Sequence, residues 1–200
     1  PETLFLLEHD EVITLGRNAD RRDLLVPDSF LARQGIVVRS AGRGGKLTYH
    51  GPGQLVAYPI LNLAPDRTDV RRYVRDLEDV LIRTAADFGV TAARSEVPAR
   101  WSSIWVGNDK LAAIGIHLSR WVTTHGVALN VTSDLARFSL FIPCGIADGG
   151  VTSLTREAPD RTPPTLEQVS GSFVRHFATV FEREVAATGQ NLKPVAVASD

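Results

Sequence analysis

The sequence predicts an α+β fold of mixed, largely antiparallel sheets flanked by helices. Three observations predict it. Short β-rich runs recur through residues 3–60 and again through 102–131. Two other segments, at 66–88 and after Pro163-Pro164, carry apolar residues at three and four spacing. No internal repeat or linker divides the 200 residues, which are enough for one domain with a sizeable core. That domain is expected to span 1–200, with 188–200 as a frayed tail.

Taken in order, residues 3–7 and 12–15 read as strands separated by a polar turn, Glu8-His9-Asp10-Glu11, with His9 a turn or surface residue. A charged loop follows from Gly16. Residues 29–33 suit a short helix and 35–39 a strand. Residues 54–60 form another strand, whose Pro59 suggests an edge or a strand end. The segment 66–88 is the clearest helix, with Val70, Tyr73, Val74, Leu77, Leu81, Ala85 and Phe88 on one face. Thr68 or Asp69 caps it and Gly89 stops it. Arg71, Arg72, Arg75, Asp76, Glu78, Asp79 and Arg83 make its other face, read as solvated; docking of acidic partners is the alternative.

Residues 102–106, 110–118 and 121–131 form an antiparallel meander, turning at Gly107-Asn108-Asp109 and Ser119-Arg120. Gly115 and Gly126 inside it mark close approach of a ligand or another backbone. Residues 135–142 are short and apolar. Thr165 with Gln168 fits a capping box, followed by the stripe Leu166, Val169, Phe173, Phe177, Val180 and Phe181. His176 beside that stripe is read as structural.

The stretch Arg43-Gly44-Gly45-Lys46-Leu47-Thr48-Tyr49-His50-Gly51-Pro52-Gly53-Gln54 organises the rest. Glycine lets a backbone approach a ligand closely, and polar side chains here converge on one space. A plain hairpin turn needs about two such residues, not twelve. The loop lacks the spacing of a phosphate-binding P-loop.

Composition removes several classes. Apolar residues make up 44% and charged residues 22%, with a net charge of -1. No global basic field favours nucleic acid. One cysteine excludes an internal disulfide or a cysteine-rich zinc site, and no carboxylate or thiol flanks His50 or His125 at ligand spacing, so no metal is expected. The absence of a membrane-length apolar run or signal peptide makes a cytoplasmic location the expectation, with no membrane partner. The chain opens at Pro1 and has no methionine, so a natural start is expected to be missing.

Cys144 lies between Pro143 and Gly145. There a thiolate and a developing oxyanion could meet free backbone amides, although buried, inert cysteines are common. Lysine is scarce: Lys46, Lys110 and Lys193 among 22 cationic side chains. Lys110 follows a tight turn and is either solvated or functional. An ammonium near a thiol favours the thiolate, and a desolvated lysine can later act as a base. His50 and His125 could orient a substrate or shuttle a proton.

Four motifs then stand in order: Arg43-Gly44-Gly45-x-x-Thr48-Tyr49-His50-Gly51-Pro52-Gly53-Gln54-Leu55-Val56-x-Tyr58-Pro59, Lys110-Leu111-Ala112-Ala113-Ile114-Gly115, His125-Gly126-Val127-Ala128-Leu129-Asn130, and Pro143-Cys144-Gly145. In this the chain resembles the octanoyltransferases, the lipoyl(octanoyl) transferase or lipoate-protein ligase B family. Members normally have an extra N-terminal segment. His9-Asp10 stands where many have His-Pro, and Trp101-Ser102-Ser103 replaces a more usual glycine-containing stretch.

The resemblance implies a fold like the catalytic domain of biotin and lipoate protein ligases. It implies transfer of an octanoyl group, without ATP or a cofactor, from octanoyl-acyl carrier protein to a lysine of lipoyl domains. Those domains belong to 2-oxoacid dehydrogenase complexes and the glycine cleavage H protein. Cys144 would be the nucleophile that forms the thioester, and Lys110 would lower its pKa and act as general base. The substrate slot would be walled by Arg43, Gly44, Gly45, Lys46, Leu47, Thr48, Tyr49, His50, Ala113, Ile114, Gly115, Gly126, Val127 and Ala128. Each buried methylene contributes about 0.8 kcal/mol, so slot depth can sense chain length. The alternatives are an ATP-dependent lipoate ligase and a non-catalytic acyl-binding regulator.

Overall fold

The computed structural model describes residues 2–97, 102–142, 149–187 and the short strand Pro194–Val195. The strands are β1 (Thr3–His9), β2 (Val12–Leu15), β3 (Val37–Ser40), β4 (Leu47–His50), β5 (Gln54–Ile60), β6 (Ala93–Arg94), β7 (Ser103–Val106), β8 (Asp109–Ser119), β9 (Val122–Asn130), β10 (Gly150–Val151) and β11 (Pro194–Val195). The helices are α1 (Asp28–Arg33), α2 (Val70–Asp87), α3 (Leu154–Glu157) and α4 (Leu166–Phe181).

An eight-stranded sheet runs β11-β1-β5-β9-β8-β7-β6, with β10 pairing to β8. A three-stranded sheet runs β3-β2-β4. The pairs β1–β11, β8–β10 and β2–β3 are parallel and the others antiparallel. This is the mixed, largely antiparallel α+β architecture that the apolar patterns predict.

Strand alternation sends the large sheet's residues two ways. Leu55 and Ala57 of β5, Val127 and Leu129 of β9, and Leu111, Ala112 and Ile114 of β8 enter the core beneath α2 and α4. That core centres on Tyr73, Leu77 and Leu81 of α2 and on Phe173, Phe177 and Phe181 of α4. Phe177 stacks on Phe181 with ring centroids 4.4 Å apart. The opposite face of the sheet is left for the site. A smaller core of Ile13, Leu31, Ile36, Leu47, Tyr49 and Phe141 lies behind the small sheet.

Helix boundaries follow their caps. α2 starts at Val70 rather than 66, because the Asp69 side chain accepts from the N–H groups of Arg71 and Arg72. Thr165 and Gln168 form the expected capping box of α4. His176 is held by Asp87 of α2 at 3.0 Å, which agrees with a structural role.

Pro59 stands at the end of β5, past its last registered pair with β9, as one of the two readings has it, although β5 itself is an inner strand. Three expectations are corrected. β1 runs on through His9, so that residue ends a strand rather than occupying a turn. Glu78 is 3% exposed on α2, not solvated, and is paired with Arg94 at 2.8 Å. The β8–β9 turn is Arg120-Trp121, one residue later than expected, with positive φ of 48° and 64° at the two positions. Among the described residues no helix is long and apolar enough to cross a membrane.

Phe177→Ala is expected to destabilise the fold by about 3–5 kcal/mol, the cost of emptying a packed aromatic site. A urea denaturation midpoint close to that of the unaltered protein would contradict this account of the core.

Candidate active site

The small sheet lies across the free face of the large one, and the space between them is a cavity of about 240 Å³. From the small sheet, Val12, Thr14, Thr48 and His50 line it. From the large sheet come Gln54 and Tyr58 of β5, Gly126, Ala128 and Asn130 of β9, and Ala113 and Gly115 of β8. Asn130 and Gly126 are four residues apart on β9, so this wall is roughly 13 Å long at strand rise.

Lys110 lines the same cavity because of a bulge. Trp105 pairs with Lys110, but its neighbour Ile104 pairs with Ala112, leaving Leu111 as an extra residue in β8. Leu111 and Ala112 both enter the core, so Lys110 shares the cavity face with Ala113 and Gly115. Its ammonium lies 5.2 Å from the centre of the Trp105 ring, a geometry that favours the cation.

Arg43 shapes the glycine-rich loop. Its side chain is buried, and Nε donates to Thr14 Oγ1 at 3.2 Å. Nη1 donates to the carbonyls of Gly44 and Lys46 at 3.0 and 2.9 Å, and Nη2 to the carbonyl and hydroxyl of Thr14 at 2.7 and 2.6 Å. The guanidinium is thus committed to the protein, and the aliphatic stem faces β8. A Cβ on Gly115 would stand 3.0 Å from Arg43 Cδ. At Gly126 a Cβ would stand 2.2 Å from the Ala57 carbonyl oxygen. The close approach foreseen at both glycines is therefore made by the protein itself.

Of the foreseen wall residues, Arg43, Gly44, Gly45, Leu47, Thr48, His50, Ala113, Ile114, Gly115, Gly126, Val127 and Ala128 border the cavity. Lys46 and Tyr49 do not border it. The Lys46 carbonyl accepts from Arg43, and Tyr49 points into the small core, where its hydroxyl donates to Glu11 at 3.0 Å. Alternation along β4 separates Tyr49 from Thr48 and His50. Cys144 lies outside the described residues. The described chain stops at Ile142 and resumes at Gly149, and the nearby Phe141 and Val151 border the cavity. The arginines of α2 sit on the helical side of the large sheet, away from the cavity, which gives the docking alternative no link to it.

The sequence reading missed His9 and Tyr58. His9 Nε2 lies 2.9 Å from the Tyr58 hydroxyl, and its ring is 5.3 Å from that of His50. Tyr58 in turn meets His125 edge-on at 5.9 Å. Alternation along β5 and a longer β1 would have exposed both. Burial holds the Tyr58 hydroxyl up at about 12. Burial, then the Arg43 charge, push His125 down. His50 is pushed down to about 3, chiefly by burial, against an opposing hydrogen bond to the Gln54 side-chain oxygen. His50 and His125 are therefore neutral at neutral pH. Among the described residues no cluster of three His, Cys, Asp or Glu could hold a metal ion.

Residues 1–178 match the family model described as the lipoyl protein ligase A/B catalytic domain. An octanoyltransferase of Myxococcus xanthus is 45% identical over 203 residues, covering 98% of this chain but only 56% of that longer protein. An octanoyltransferase of Solibacter usitatus is 50% identical over 182 residues, covering 91% of this chain and 80% of that one. Among solved structures, a lipoate-protein ligase A bound with ATP superposes with a TM-score of 0.76 at 16% identity, covering 98% of this chain and 76% of that chain. At that identity the likeness speaks for the fold.

The buried His50 makes stability depend on pH. The unfolded chain takes up a proton near the ordinary value of 6.5, whereas the folded chain resists until about 3. This contribution is intact above 6.5 and is lost progressively as pH falls toward 3. Urea denaturation from pH 7 to 4 is expected to show less of this loss in His50→Asn than in the unaltered protein. Identical pH slopes would contradict it.

Proposed function

The chain belongs to the lipoyl protein ligase A/B catalytic domain family, among its octanoyltransferases, and from that premise we propose that it carries an octanoyl group from octanoyl-acyl carrier protein to a lysine of lipoyl domains. The acceptors are the lipoyl domains of 2-oxoacid dehydrogenase complexes and the glycine cleavage H protein. One observation carries this reading. Lys110, the glycine-rich loop, and Phe141 and Val151 on either side of the Cys144 stretch all border one largely apolar cavity.

In the first half-reaction the Cys144 thiolate attacks the donor thioester. A new carbon–sulfur bond forms and the bond to the carrier's sulfur breaks. The leaving carrier thiolate takes a proton from the Lys110 ammonium. In the second half-reaction the neutral amine of the acceptor lysine attacks the acyl-enzyme. The carbon–nitrogen bond forms, the bond to Cys144 breaks, and one amine proton passes to Lys110. Thiolate and ammonium are then restored, so the cycle consumes no ATP and no cofactor. The apolar wall of Ala113, Gly115, Gly126 and Ala128 suits an eight-carbon chain, and the rigid Arg43 stem closes it beside Gly115.

Intact-mass analysis after mixing with octanoyl-acyl carrier protein, without ATP, is expected to show one octanoyl group on Cys144. Cys144→Ala should abolish both that adduct and transfer to a lipoyl domain. Lys110→Ala should slow each half-reaction by about 10²- to 10⁴-fold, the usual range for a positioned acid–base group. Turnover that needs ATP, or that survives loss of the thiol, would replace this reading with that of an adenylating ligase.

A further inference from the structure

A line of buried hydrogen bonds runs from the backbone of Lys110 to the ring of His50. The Thr152 N–H donates to the Lys110 carbonyl at 2.9 Å. The Asn130 side-chain amide donates to the Thr152 carbonyl at 2.9 Å. Gln54 Nε2 donates to Asn130 Oδ1 at 2.9 Å and to the Tyr49 carbonyl at 3.2 Å. Gln54 Oε1 then meets His50 Nδ1 at 2.8 Å. His50, Gln54, Asn130 and Thr152 are all at most 6% exposed.

This line has only one consistent polarity. A backbone carbonyl cannot donate, so the oxygen of Thr152 demands the amide nitrogen of Asn130. That turns Asn130 Oδ1 toward Gln54. Oδ1 and the Tyr49 carbonyl both accept, so Gln54 must present its nitrogen to them and its oxygen to His50. An oxygen facing Nδ1 needs a donor, so the ring proton of His50 sits on Nδ1. Nε2 is left with a bare lone pair on a residue that borders the cavity. Each donor in the row polarises the next, which strengthens the row and holds the ring in one orientation.

The row also fixes where that lone pair acts. Asn130 follows Leu129, which pairs with Ala112, and Ala112 is separated from Lys110 only by the bulged Leu111. His50 therefore serves the Lys110 end of the cavity, not the Gly115 end. The titratable and charged groups that border the cavity with it are His9 of β1, Arg39 of β3, Arg43 of the loop, Tyr58 of β5, Lys110 of β8 and His125 of β9. Burial keeps the ring neutral in their presence.

We propose that His50 is a further catalytic residue, whose Nε2 accepts a hydrogen bond from the attacking amine, and that Gln54 and Asn130 are positioning residues that set its tautomer. The inference rests on the amide-forming step proposed above. That amine carries two N–H bonds. One proton leaves to Lys110; the other stays on the product amide, and it is this N–H that His50 holds. No proton passes to His50. With both N–H groups engaged, the amine is held in one orientation for its attack.

Two measurements test this. Long-range nitrogen–proton NMR on the free protein is expected to show His50 protonated on Nδ1 and bare on Nε2. Protonation on Nε2 overturns the proposal whatever the activity, and needs no variant. His50→Asn keeps an amide donor near the position of Nδ1 for Gln54 but has nothing in place of Nε2. Acylation of Cys144 by octanoyl-acyl carrier protein, a step that involves no amine, is expected to slow less than discharge. Discharge of the acyl-enzyme to a lipoyl domain is expected to fall about 10- to 100-fold, the effect of one lost hydrogen bond. Gln54→Met should give a mixed tautomer and an intermediate discharge rate. Normal discharge from His50→Asn, or equal slowing of both steps, overturns the inference while leaving the transfer reading standing. If the unaltered protein forms no adduct, the transfer reading fails and this one falls with it.

Discussion

The Arg43 guanidinium holds the site's two walls in relation to each other. Its donors go to neutral oxygens of Thr14, Gly44 and Lys46, so it ties β2 to both ends of the glycine-rich turn. The turn is tied in the other direction by the Gly44 N–H, which donates to the Ile116 carbonyl of β8 at 2.9 Å. A buried cation is costly unless its donors are satisfied, and these bonds are what offset that cost. The same charge reaches across the cavity, opposing protonation of His50 and His125. One side chain therefore shapes the cavity and, after burial, adds to what keeps His50 and His125 neutral.

Legibility in the sequence followed the range of the interactions involved. Helices were readable because caps and stripes are local: Asp69, Thr165 and Gln168 lie within a turn of what they bind. The glycine-rich stretch was readable because so many residues with special backbone freedom have few other uses. Side-chain direction within it was not readable. Tyr49 and His50 are neighbours in the chain, yet only strand pairing decides that the first enters the small core and the second the cavity. His9 was hidden by where β1 ends, which depends on its pairing with β5 and β11. Glu78 was taken for a solvated residue because its partner Arg94 is 16 residues away. Lys110 was singled out by its scarcity as a residue type, but its direction depends on a bulge that no periodicity announces. The role given to Cys144 comes from its motif, since that residue lies outside the described ones.

The two walls divide the labour that an acyl transfer makes necessary. Near Gly115 and Gly126 the surface is backbone and the Arg43 stem, bordered by the Tyr58 and His125 rings. Near Asn130 the surface carries an amine, amides and imidazoles. The two ends lie on the same strands, so neither moves without the other. The Lys110 ammonium packs over the Trp105 ring, 5.2 Å from its centre, at this polar end.

The extra residue at Leu111 carries a consequence for how this chain can change. Side chains on a strand swap sides with every position, and here the bulge absorbs one surplus residue between the β7–β8 turn and Ala113. The bulge, and not the residue count, is what aims Lys110: without Leu111, Lys110 would stand two positions from Ala113 in a regular strand and still face the cavity, whereas a regular strand that kept Leu111 would turn the amine toward the aliphatic interior. An added residue at this place would keep that direction only by forming a second irregularity.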